Sequence, residues 1–582
     1  NGKGKTTVRW VFESLKLSKM KTHPTFALFI ITTTTMGIKH FFGWFKKNNP
    51  KTFTQLGKDT HPDVPIDAFA IDLNAIFHPA AQRIYRYGEK HSLLLRPAPL
   101  VSKKLDLAVF KEVCGMIDQM VAAIRPSKYL ILCVDGVAGM SKMSQQRGRR
   151  FRSVKDRKSD KHFNANCISP GTEFMDHLTK YIEVHICKRI TSGEWGFEVL
   201  YSTDKTPGEG EHKIIHLARK YAAKDNFCIF SPDADLIMLG LASGLPNFYI
   251  YRNDMRDSNI RFFISISEFE REITKHFRGA ASKSAVVDFV FICCLLGNDF
   301  IPQIPGLEIY QDAIDMLITV YQETGALVNP DTMELNKKNI AIFLEKLIPF
   351  TQGVMKKKYK SRKRYFPDPL MEKHFFNIKG DVMCDFDAYA RGYYTKADIP
   401  DISGVKTLCS DYMKGLQWVM LYYFKGIPDW YWTFSSPYAP MIQDLAINAV
   451  QSVYSFNRLS APYDPFFQLL CVLPPQSRDL LPECFHGIYD RFPQHFPSSV
   501  VVDTAGKYAE WEGIPLLNPI PVFDMHAVYQ EVKAQFPYKT VEWDRNIQDQ
   551  AYTYSRAPDQ SVTVSKVFGS KSYTDISKVK IT

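Results

Sequence analysis

Residues 68–74 read Ala-Phe-Ala-Ile-Asp-Leu-Asn, an apolar run that closes on the acid Asp72. Lys128–Val134, KYLILCV, repeats the form and ends at Asp135-Gly136. Asn226–Ser231, NFCIFS, ends at Pro232-Asp233-Ala234-Asp235. Continuous apolar runs of this length are buried on both faces, as strands of a parallel sheet are. Helical patterns over Leu107–Ile124 and His212–Ala222 lie between them. Strand–helix alternation predicts an α/β fold, a parallel-sheet core with helices on both faces. Ligand sites of such sheets lie beyond the carboxyl ends of the strands, where Asp72, Asp135 and Asp233 fall.

More acids stand at element ends. Glu209 and Glu211 lie in Pro207-Gly208-Glu209-Gly210-Glu211-His212-Lys213, ahead of a helical stretch, and Asp299 follows the buried run DFVFICCLL in Gly297-Asn298-Asp299. Singly, Asp135 before Gly136 reads as a turn, Asp233 and Asp235 as helix caps, and Glu209 and Glu211 as complements to a helix dipole. Jointly the seven, Asp72, Asp135, Glu209, Glu211, Asp233, Asp235 and Asp299, cannot all be solvated surface charge. Brought together they repel by several kcal/mol unless divalent cations neutralise them. A carboxylate-only cluster without Cys or His suits Mg²⁺ or Mn²⁺, and two such ions are a standard device for phosphodiester cleavage.

Six residues after Asp135 begins Ser141–Arg152, SKMSQQRGRRFR. Lys142, Gln146, Arg149 and Arg150 recur at roughly helical spacing and share a face. Such a face suits a phosphate monoester: Arg gives forked hydrogen bonds, Lys a point charge. A solvated basic helix is the plain alternative; the position after a metal-type Asp favours the binding face. His78, six residues after Asp72, and the aromatic stretch Trp430-Tyr431-Trp432 fit core roles or base stacking.

With 582 residues, 45% apolar and 23% charged, the chain is long enough for more than one domain. Its net charge of +12 suggests an anionic partner. The 11 cysteines have no CxxC spacing, so they read as reduced thiols of an intracellular protein, cytoplasmic or nuclear. No stretch reads as transmembrane; Phe26–Ile31 is too short. Residues 1–35, poor in acids, are expected to be a disordered extension. A catalytic region is expected over 36–350, a basic linker over 351–400 around MKKKYKSRKR, a second region over 401–550, and a loose Ser/Thr/Lys-rich tail over 551–582.

Over roughly residues 36–545 the chain resembles the Xrn-type 5′→3′ exoribonucleases. The likeness begins at MGIKHFFGW (36–44) and runs through VDGVA, KMSQQRGRRFR, SPGTEFM, PGEGEHKI, DADLIMLGL and DFVFICCLLGNDFIP. It resumes with GLQWVMLYYFKG, WYW, YAP, QLLCVLPPQSRDLLP and AEWEG. The resemblance implies a PIN/flap-nuclease-like core and a mostly helical second conserved region bracing the active site. It implies that the seven acids hold two metal ions, that Lys142, Gln146, Arg149 and Arg150 hold the 5′-monophosphate of single-stranded RNA, and that His78 and Trp432 stack on its bases. Gly139-Met140 stands where the family usually has Pro-Arg, and DLNAIFH replaces DMNGIIH. The expectation is a compact or divergent member, viral ones included, acting as a monomer without the long C-terminal extension of large members. Two other readings remain: a flap-type DNA endonuclease, which shares the acidic motif but lacks QQRGRR, and an inactive RNA-binding scaffold.

Overall fold

The apolar runs form strands because their residues are buried on both sides. In β2 (Ala68–Asp72), Ala68 and Ala70 face one core and Phe69 and Ile71 the other. Tyr129–Cys133 (β3) and Phe227–Phe230 (β5) alternate in the same way. In this computed structural model the described residues are 38–57, 60–87, 98–156, 161–254, 260–277, 279–399, 401–535, 544, 546–547, 551–557, 561–566 and 572–573. The expected extension over 1–35 lies outside them.

The remaining strands are β1 (Phe53–Leu56), β4 (Glu198–Ser202), β6 (Phe248–Asn253), β7 (Arg261–Ser265), β8 (Phe375–Ile378), β9 (Asp381–Cys384), β10 (Val501–Asp503), β11 (Ile514–Leu516), β12 (Tyr552–Arg556), β13 (Val562–Lys566) and β14 (Ser572–Tyr573). A ten-stranded sheet runs β1-β7-β6-β5-β2-β3-β4-β12-β13-β14, with β8-β9 and β10-β11 as separate two-stranded ribbons. Its centre, β6-β5-β2-β3-β4, is parallel. Asp72 pairs with Cys133 and Ile71 with Phe230. That register brings the carboxyl ends of β2, β3 and β5, and the acids that follow, to one edge.

Helices Asn74–Tyr85, Lys103–Ile124 and Glu173–Thr191 cover one face. Helices Gly210–Tyr221, Asp235–Ser243, Ser282–Cys294 and Ile402–Lys425 cover the other. The expected parallel-sheet core with helices on both faces and the mostly helical second region are therefore both present. Of the 11 cysteines, nine are buried, and none forms a disulfide. No helix among the described residues is long and apolar enough to cross a membrane.

Two expectations need correction. The basic run is not a linker: Met355 to Lys360 complete the 24-residue helix Lys337–Lys360, so a boundary at residue 350 cuts through one element. Met355 and Tyr359, one turn apart, are buried against Met371, Phe375 and Tyr389, while the lysines lie on the rest of the helix surface. The region after residue 551 is not a loose tail where it is described. Tyr552–Arg556 adds antiparallel to β4 and Val562–Lys566 to β12. Tyr554 is buried there and donates to Glu183 at 2.7 Å.

Candidate active site

The acids converge because short loops hold them at the sheet edge. Asp72 accepts from the backbone N–H of Asn74 at 3.2 Å, and the Asn74 side chain accepts from that of Asp135 at 2.9 Å. Asp135 in turn accepts from Gly210 N–H at 2.6 Å. Gly136 and Gly208 lace the two loops together, with Gly136 N–H to Gly208 O at 2.9 Å and Gly208 N–H to Val137 O at 2.8 Å. A Cβ on Gly136 would meet Thr206 O at 1.8 Å, and one on Gly210 would stand 2.8 Å from Asp72 Oδ1. Those glycines let backbone and carboxylates approach as nothing larger would. Asp233 accepts from Asp235 N–H at 3.2 Å, and Asp235 from Ile38 N–H at 3.0 Å.

Burial first, and neighbouring carboxylates second, push several pKa values up. Asp72 lies beside Asp135 and Asp233; Asp135 beside Glu209; Glu211 beside Asp233 and Glu209. Asp233 lies beside Asp299, and Asp235 beside both Asp233 and Asp299. Desolvation and like charge both disfavour ionisation. All seven acids thus form one electrostatic cluster.

The counter-charge is Lys142. Its ammonium lies 2.5 Å from Glu209 Oε2 and 2.8 Å from Asp299 Oδ2, with only 7% of the residue exposed. Burial works against its charge, but Asp299, Glu209 and Glu211 together hold its pKa well above the usual lysine range. Expected beside a phosphate, Lys142 here sits among the acids. The cluster fits a hard divalent cation in chemistry: its donors are carboxylate oxygens and its negative charge exceeds that of one ammonium. Among the described residues no three His, Cys, Asp or Glu side chains converge as a ready ligand set. The carboxylates are gathered around an ammonium instead.

Lys142 belongs to helix Met140–Arg152. Gln146, Arg149 and Arg150 are half-buried on it. Gln146 Oε1 and Arg150 Nη1 are buried without a hydrogen-bond partner, an arrangement that suits a polar ligand. Burial and then Arg149 lower the Arg150 pKa to about 9. His78 is near both arginines: burial, then Arg149 and Arg150, lower its pKa to about 4. Yet His78 is exposed to solvent, so a ligand can reach the ring. The other arginines anchor the helix. Arg147 donates to the carbonyls of Asn518 and His495, and Arg152 to those of Glu510, Trp511 and Gly513.

Trp432 is 8% exposed and stacks on Trp418 with ring centres 5.1 Å apart. Trp418 leads to Phe300 at 5.1 Å, and Phe300 to the Lys142 ammonium at 5.8 Å. The neighbouring Thr433 hydroxyl meets Ser144 of the basic helix at 3.1 Å. Trp430 is half-buried, and its carbonyl accepts from Met140 N–H at 2.8 Å, at the start of that helix. Among the described residues neither indole lies against His78.

Sequence reasoning missed several supports. Tyr422 of helix Ile402–Lys425 donates a short hydrogen bond to Glu209 and stacks on His212 at 3.9 Å. Asn74 and Ile38 hold acids through single hydrogen bonds. Asn74 stood beside an acid in the DLN motif; for Tyr422 nothing local signalled the contact, which joins residues 213 positions apart.

Two family models match the chain: "XRN 5′-3′ exonuclease N-terminus" over residues 36–254, and "Xrn1 helical domain" over 281–379 and 386–581. The human protein named 5′-3′ exoribonuclease 1 is 27% identical over 583 residues, covering 83% of this chain and 33% of its own. The Saccharomyces cerevisiae protein of the same name is 26% identical over 664 residues, covering 83% and 42%. The chain thus spans less than half the length of both relatives. A solved structure of the catalytic core of Rad2 in complex with DNA substrate is 15% identical with a TM-score of 0.29, covering 69% of this chain and 92% of that one. A likeness so slight bears on neither fold nor chemistry.

Proposed function

We propose that this chain, which belongs to the Xrn 5′→3′ exonuclease family, hydrolyses single-stranded RNA stepwise from a 5′-monophosphate end and releases nucleoside 5′-monophosphates. One observation carries the reading. Asp72, Asp135, Glu209, Glu211, Asp233, Asp235 and Asp299 form one electrostatic cluster, and the helix supplying its counter-ion continues into Gln146, Arg149 and Arg150.

These acids would hold two Mg²⁺ or Mn²⁺ ions, which when bound activate water and stabilise the leaving 3′ oxygen. Arg149 and Arg150 would grip the terminal phosphate, with Gln146 donating to it. Lys142 would turn from Glu209 and Asp299 toward that phosphate. His78 is neutral near pH 7, because its pKa is lowered to about 4, and would stack on the leading base as an uncharged ring. Trp432, buried against Trp418, would reach a base only at its edge. A triphosphate or cap would bring charge and bulk beyond the single phosphate that these side chains are proposed to hold. The buried free thiols support work in a reducing compartment, the cytoplasm or nucleus.

The test is Asp233→Ala combined with Asp235→Ala. RNA cleavage should be lost while circular dichroism and the unfolding transition remain those of a folded protein. A folded variant that still cleaves would remove both acids from the catalytic centre.

A further inference from the structure

Four segments distant in sequence, around Lys39, Tyr310, Lys358 and Tyr508, meet beside the acid cluster and bring exposed aromatic rings among lysines. Tyr310 is 41% exposed, Tyr508 60% and Trp511 37%. Isolated exposed apolar residues are ordinary, but these rings are linked. His40 packs against Tyr310 and Trp511, with centres 5.6 Å away in both cases, and Tyr508 meets Tyr365 at 6.1 Å. Lys39 lies over Trp511 at 6.0 Å and Lys358 over Tyr365 at 5.3 Å.

The surface also crowds ammonium groups together. Lys39, Lys358 and Lys507 lie among the carboxylates of Glu308, Glu512 and Asp503, and His40 also pairs with Glu512, at 2.9 Å. Burial and then repulsion from Lys507 lower the Lys39 pKa to about 8, and burial and then Lys358 lower that of Lys507. Folding holds these ammoniums together against their mutual repulsion, which an arriving anion would relieve.

The surface is continuous with the site. Ile38, next to Lys39, binds Asp235. Arg152, at the end of the proposed phosphate-binding helix, fixes the loop that carries Trp511 through carbonyls of residues 510, 511 and 513. Lys358 comes from the basic run that the active site leaves unused.

We infer that the surface of Tyr310, Tyr508 and Trp511 with Lys39, Lys358 and Lys507 is a second RNA contact, which stacks bases and pairs phosphates of the unpaired strand beyond the cleaved end. The inference rests on the function proposed above. Rings exposed in series beside ammonium groups are the usual platform for single strands of any sequence. Sequence-independent grip suits an enzyme that must advance along its substrate.

The test compares the full chain with Tyr508→Ala and Lys507→Ala variants on 5′-monophosphorylated RNAs of 3 and 30 nucleotides. The ratio of kcat/KM on the long RNA to that on the short one should fall about tenfold in the double variant. A second arm measures binding of the 30-nucleotide RNA in EDTA against salt. Lys507→Ala alone should reduce the slope of log K on log salt by about 0.7. An unchanged ratio with an unchanged salt slope would overturn the inference, as would an equal loss on both lengths. Wild-type protein that cleaves neither RNA would refute the proposed function instead, leaving the binding arm to decide the surface.

Discussion

Replacing Lys142 by Met separates two roles that one lysine cannot perform at once. Its ammonium stands 2.5 Å from Glu209 and 2.8 Å from Asp299, and each of those side chains is 8% exposed. Deleting one partner of a buried ion pair while leaving the other charged costs about 3–5 kcal/mol. Met preserves the stem and its packing toward Phe300, so the loss is chiefly electrostatic. Without divalent ions, Glu209 and Asp299 lose the ammonium that pairs with them, and the folded state bears the cost. With ions bound, the positive charge is replaced and most of the cost disappears. Ion binding therefore gains about 3 kcal/mol relative to wild type, a tightening of about a hundredfold. Mn²⁺ titration followed by electron paramagnetic resonance at pH 8, where carboxylate protonation relieves least, reads this directly. Thermal unfolding with EDTA and with Mg²⁺ gives a second reading, since ion-induced stabilisation should be larger in the variant. RNA cleavage should fall nonetheless, because the phosphate loses a ligand. Unchanged or weaker Mn²⁺ affinity would refute the idea that Lys142 and the ions compete for the same oxygens.

Arg149→Ala with Arg150→Ala should lower the preference for 5′-monophosphate over 5′-hydroxyl RNA by about a hundredfold or more, because charge-assisted hydrogen bonds contribute about 1.5–3 kcal/mol each. An unchanged preference, measured by competition between the two RNAs, would remove the pair from the phosphate pocket. The His78 ring should titrate by NMR with a midpoint near its depressed value of about 4. Because the folded-state pKa lies below the ordinary 6.5, the unfolded chain takes up this proton first, and stability falls as pH drops from about 6.5 toward 4. A nucleoside 5′-monophosphate should raise the midpoint by offsetting Arg149 and Arg150; a free-protein midpoint near 6.5 would contradict their effect on the ring.

The three central strands were legible because each is a continuous apolar run that stops at an acid, and parallel pairing then fixed the shared edge. The helix from Met140 was legible from its spacing, but its division of labour was not. Lys142 reaches the acids because helix Pro465–Val472 braces it, with Gln468 accepting from Ala138 N–H at 2.7 Å across 330 positions. No local pattern encodes such a contact. The basic run looked like a linker because its lysines outweigh Met355 and Tyr359, the two residues whose one-turn spacing anchors the helix. The strands after residue 551 hid for a similar reason. YTYSR and VTVSK alternate as edge strands do, but they sit within a Ser/Thr/Lys-rich composition that reads as tail. The role expected of Trp432 rested on resemblance, and its burial against Trp418 belongs to tertiary packing alone.

The central claim is that the acid cluster and the adjoining basic helix together make a 5′-monophosphate-dependent exoribonuclease. The most direct measurement incubates the full chain with one 3′-labelled RNA carrying either a 5′-monophosphate or a 5′-triphosphate, in Mg²⁺ and then in EDTA, and identifies the products. Mononucleotides released in Mg²⁺ from the monophosphate RNA alone are the expected result. Internal fragments, equal decay of both RNAs, or decay that persists in EDTA would contradict it.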